Sequence, residues 1–108
     1  PNHVGNLCSA PILADRTTGT LQHQSSFAYI GHFSRFIQPG AHRVLCAASL
    51  QDLETTAFVN PDGSTAVVVL NRTEKAIAFG LRMHDAHCAS EIPARAIATF
   101  VIAGPAVP

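Results

Sequence analysis

Hydrophobic positions along the chain change period once, near Gly40. From Phe27 to Ile37 they recur at helical spacing. At about 100° per residue, Phe27, Tyr29, Ile30, Phe33, Phe36 and Ile37 fall on one half of a helix, and Ala28, Gly31, His32 and Arg35 on the other. Ser25 or Ser26 is placed to cap the start, and Pro39-Gly40 closes the end, so the pattern predicts a helix over 25–38 with a broad apolar face. Ahead of it, residues 1–20 are rich in Pro, Gly, Asn and Thr around one short apolar run, Pro11-Ile12-Leu13-Ala14. The turn-like Asp15-Arg16-Thr17-Thr18-Gly19 follows, which predicts a long loop holding a small strand.

After Gly40 the spacing is that of strands. Arg43 to Ala48 and Leu53 to Asn60 are candidates, and Asn60-Pro61-Asp62-Gly63 reads as a type I turn whose Gly takes a positive φ. Its hairpin partner, Ser64 to Asn71, is apolar on both faces, as a central strand covered on two sides must be. Ile77, Phe79, Leu81 and Met83 alternate with Ala78, Gly80 and Arg82, as in a half-buried strand. Cys88 to Ile92 and Ala96 to Ile102, joined through Pro93-Ala94-Arg95, complete the series. The expected fold is mainly β, an antiparallel sandwich or barrel in which about six strands follow one another as a meander.

Composition narrows the partners. With 108 residues, 47% of them hydrophobic and 13% charged, the chain has material for one core and is too apolar for disorder. Seven basic and seven acidic side chains cancel, and no Lys/Arg cluster follows a phosphate backbone or an anionic surface, so no nucleic-acid partner is expected. With no Trp and a single Tyr, the aromatic platform of a free-standing carbohydrate-binding module is missing. No apolar run reaches the roughly 20 residues that a membrane-spanning helix needs. Cys8, Cys46 and Cys88 are odd in number and far apart; they read as small buried hydrophobes rather than a zinc site or a disulfide framework.

Candidate chemistry is sparse. A glycosidase or an aspartic protease needs two carboxylates converging on one cleft, whereas Asp15, Asp52, Glu54, Asp62, Glu74, Asp85 and Glu91 fall mostly at turns or strand edges and read as solvated. His84, His87 and Cys88 are metal-ligand types, but they lie in a short connection between two strands, and no metal and no cofactor is expected. Asn71-Arg72-Thr73 matches the N-glycosylation acceptor pattern, although Asn is also a favoured turn residue and the turn reading is preferred.

Two segments carry a resemblance. "GHFSRFIQPGAHRV" (Gly31 to Val44) and "LETTAFVNPDGSTAVVVLNRTEKAIAF" (Leu53 to Phe79) closely resemble the C-terminal part of the glucosylceramidase branch of glycoside hydrolase family 30. "PNHVGN" and "PILAD" near the start, and "IPARAIATFVI" near the end, are similar to the same family in order and spacing. The likeness is specific from the helix to "NPDGSTAVVVLNR" and weaker from Leu81 to Glu91.

The resemblance implies a (β/α)8 barrel joined to a β-sandwich that also receives strands from before the barrel. Residues 1–38 would then be the last βα loop and eighth helix of the barrel, and residues 39–108 the C-terminal sandwich, incomplete by itself. The family hydrolyses β-glucosides with retention, using two barrel glutamates as acid/base and nucleophile. Both positions would precede Pro1, so the resemblance gives this chain no catalytic residue. It places only His3 and Asn6 at the rim of the substrate cleft, and the family more often has an aromatic where His3 stands. The implied partners are the missing barrel segment and, for the parent protein, a β-glucoside or glucosphingolipid substrate, and the fragment alone is expected to self-associate. Two other readings remain open at this point: a separate lectin-like or lipid-presenting module, and an interaction domain whose helix face binds a partner.

Overall fold

A computed structural model describes residues 10–105. The chain divides into two units, Pro1–Gly31 and His32–Pro108, with the division inside its helix. In the first unit, β1 (Ile12–Asp15) and β2 (Thr20–His23) form an antiparallel hairpin with Asp15 opposite Thr20. The turn is held by Asp15 and Gly19. Asp15 Oδ1 accepts from the Thr17 N–H at 2.9 Å and from the Thr17 hydroxyl, while Gly19 takes φ 70° and donates to the Asp15 carbonyl at 2.8 Å. A single small strand was expected here. The second strand escapes a reading by hydrophobic period because Thr20, Leu21, Gln22 and His23 are all exposed.

The helix, α1, spans Ser25–Ser34 and stops short of the expected 38. Neither Ser25 nor Ser26 caps it with its side chain; the first turn is closed by the Phe27 N–H donating to the Gln24 carbonyl at 3.0 Å. At the other end Asn60, distant in sequence, competes for the backbone. Its side-chain amide donates to the Phe36 carbonyl at 2.9 Å and its Oδ1 accepts the Gln38 N–H at 2.9 Å, which draws both groups out of the helical ladder before Pro39.

The second unit is a two-sheet sandwich. One sheet runs in the order β3 (His42–Val44), β4 (Leu53–Val59), β5 (Thr65–Asn71) and β8 (Ala96–Ile102), every pairing antiparallel. The other is the hairpin of β6 (Ile77–Met83) and β7 (Ala86–Ile92). Leu53, Ala57, Val67 and Val69 from the first sheet meet Ile92 from the second in one buried core, with Phe79 and Phe100 edge to face across it at 5.6 Å. The meander reading is corrected. β8 passes by its neighbour in sequence and pairs with β5, Thr99 opposite Val68, because its inward Ala98 and Phe100 and its ladder groups are satisfied there.

Other strands follow their periods. β5 is buried on both faces, Val67 and Val69 inward and Ala66 and Val68 outward, as its unbroken apolar run requires. β6 alternates half-buried and exposed residues. β3 is shorter than expected: after Val44 the chain leaves the ladder, Leu45 is 97% exposed, and Ala47, Ala48 and Ser49 offer little side chain to pack. The β4–β5 turn forms as read, Gly63 at φ 84° donating to the Asn60 carbonyl at 2.9 Å. Gly104 passes so close beneath it that a Cβ there would lie 2.6 Å from the Gly63 carbonyl oxygen.

Candidate functional site

Among the described residues the chemistry-bearing side chains do not converge. Glu54 pairs with Arg72 at 2.9 Å, Glu74 pairs with Arg95, and all four are exposed. Asp52, Asp85 and Glu91 are exposed as well. Asp15 and Asp62 accept hydrogen bonds within their own turns. The Thr17 hydroxyl and N–H hold the Asp15 carboxyl down at about 2, and the Ser64 hydroxyl and N–H lower that of Asp62. Neither shift comes from a buried catalytic setting. His84, His87 and Cys88 lie exposed along the β6–β7 hairpin, and among the described residues no three His, Cys, Asp or Glu are grouped to hold a metal ion. Of the cysteines read as buried, Cys46 is half-buried and Cys88 is exposed, a correction that follows from β7 lying at the open margin of its sheet; Cys8 lies outside the described residues. His3 and Asn6, the two residues expected at a cleft rim, also lie outside the described residues.

Asn71, the candidate acceptor, is fully buried. Its Oδ1 takes the Thr73 N–H at 2.9 Å and the Thr73 hydroxyl at 2.8 Å, and its amide donates to the Lys75 and Pro93 carbonyls at 2.8 and 2.9 Å. The structural turn reading holds here. Asn71 ties the ends of two connections together with every polar atom used.

On α1, Phe27, Tyr29, Ile30 and Phe33 are 45%, 41%, 51% and 39% exposed, so much of the face with the largest apolar side chains is in water. On the other half of the helix, His32 reaches β8. His32 Nδ1 sits 2.9 Å from the Thr99 hydroxyl oxygen on β8, and that hydroxyl donates to the His32 carbonyl at 3.2 Å.

A second open surface lies inside the sandwich. β6–β7 covers only part of the four-stranded sheet, leaving an apolar cavity of about 750 Å³ between β4 and β6. Leu53, Ala57 and Val67 line it from one sheet, Phe79 and Leu81 from the other, and Arg82 and His84 are also among its lining residues. Among the described residues β6 is paired only with β7, so its other ladder edge has no described strand beside it. Sequence reasoning found the apolar stripe of the helix but missed the groove, the His32–Thr99 pair and the part played by Asn60. The one usable signal was Asn60 itself, a polar residue at the end of an otherwise half-buried strand.

Residues 40–100 match the glycosyl hydrolase family 30 beta sandwich domain. The chain is 46% identical over 76 residues to lysosomal acid glucosylceramidase of Mus musculus, covering 69% of this chain and 15% of that protein. Among solved structures, SrfJ from Salmonella typhimurium superposes with a TM-score of 0.91 at 36% identity, over 97% of this chain and 24% of that one. An endo-beta1,6-glucanase superposes at 0.72 with 27% identity, over 79% of this chain and 19% of its own. The chain thus spans about a seventh of the length of the curated relative and about a quarter of SrfJ.

Proposed function

The chain belongs to glycosyl hydrolase family 30, whose beta sandwich domain it matches over residues 40–100, and from that premise we propose that it is the carboxy-terminal part of a retaining β-glycosidase of the glucosylceramidase type. Residues 1–38 are the last βα loop and eighth helix of a (β/α)8 barrel, and residues 39–108 are the sandwich that braces it. The catalytic glutamates belong to preceding barrel strands, so the 108-residue chain is inactive by itself and acts as structural support. The parent's substrate is a β-glucoside such as a glucosphingolipid. His3 and Asn6 stand at the rim of its cleft without taking part in proton transfer or nucleophilic attack.

The observation that supports this most directly is the exposed apolar face of α1. Helices of such barrels bury that face against the outside of the strands, and here Phe27, Ile30 and Phe33 are left in water while His32 engages the sandwich. Missing sandwich strands from the upstream chain account likewise for the open groove and for the edge of β6 that no described strand pairs. Lacking both partners, the isolated chain self-associates.

The reading is tested by assaying the complete natural polypeptide and the 108-residue chain side by side on a fluorogenic β-glucoside, with the intact mass of each sample recorded. Turnover by the longer polypeptide and none by the 108-residue chain is the expected result. Turnover by the short chain overturns its inactivity, and a natural polypeptide of only about 11.4 kDa overturns the missing barrel and leaves a binding or interaction module.

A further inference from the structure

We draw no further inference here: the strongest candidate, the apolar groove between β4 and β6 lined in part by Arg82 and His84, belongs to the docking surface already assigned to the upstream chain, and nothing in the structure shows any other molecule covering it.

Discussion

His32 and Thr99 hold each other twice, through Nδ1 to the Thr99 hydroxyl oxygen at 2.9 Å and through that hydroxyl to the His32 carbonyl at 3.2 Å. A hydroxyl has one proton to give. Once it is committed to the carbonyl, the Nδ1 contact requires Nδ1 to be the donor, which fixes the tautomer of a neutral ring as Nδ1–H. Both groups are half-buried, so losing the hydroxyl strands a donor and an acceptor together. Replacement of Thr99 by Val is expected to lower stability by about 1–2 kcal/mol, and Thr99→Ser to recover most of that loss. Urea unfolding of the three proteins measures it; a Val variant within a few tenths of wild type would mean that water replaces both bonds.

Asn71 supplies the next expectation. An attached glycan needs a free side-chain amide, and that of Asn71 is spent on the Lys75 and Pro93 carbonyls in a fully buried position. Folded protein made in a glycosylating host should therefore show the same mass before and after glycosidase treatment. Replacing Thr73 by Ala destroys the acceptor pattern without changing the glycan mass, yet it removes the hydroxyl bond to Asn71 Oδ1 and should destabilise by about 1 kcal/mol. A folded, glycan-bearing Asn71 would refute the buried clamp.

How far the sequence speaks can be judged from such residues. β5 was legible because an apolar run flanked by Asn60-Pro61-Asp62-Gly63 has few options other than a central strand, and β6 because its period of two is unbroken. β2 was silent because nothing in Thr20–His23 is buried. The end of α1 depends on Asn60, more than twenty residues away, and no local cap announces it. Strand order was also misread. Pro93-Ala94-Arg95 looks like a hairpin turn, yet Arg95 adopts φ 49°, its N–H donates to the Thr73 carbonyl, and the following strand passes to β5. Only long-range ladder pairing decides that step, so the groove, which exists because of strand order, could not be foreseen.

Acid should act on two turns. Asp15 is held down at about 2 and Asp62 is lowered in the same direction, against an ordinary value of 3.8. A carboxylate whose folded value is depressed contributes stability that is complete above its unfolded value and is lost as pH falls through the folded one. Both contributions should thus be intact above about pH 4 and be lost as pH falls through the lowered folded values, that of Asp15 at about 2. Asp15→Asn keeps an acceptor oxygen for Thr17 but does not titrate, so its melting temperature should fall less than that of wild type across this window, as followed by circular dichroism. Parallel curves for the two proteins would show that the turn carries no linkage.

The apolar face of α1 makes predictions of opposite sign in two contexts. In the isolated 108-residue chain Ile30 and Phe33 are 51% and 39% exposed, so Ile30→Asp and Phe33→Asp remove water-facing apolar surface and should change stability by no more than about 0.5 kcal/mol. Dye binding to exposed apolar surface should fall, and the gel-filtration profile should shift toward monomer. Under the proposed barrel assignment the same side chains are buried against barrel strands in the complete polypeptide. Each exchange should then cost at least the burial of a large apolar side chain, about 1.5–3 kcal/mol, with the further penalty of a carboxylate in an apolar seam. Unfolding of the isolated chain by Phe33→Asp would place that residue in the chain's own core, whereas tolerance there with destabilisation of the full polypeptide assigns the face to the barrel.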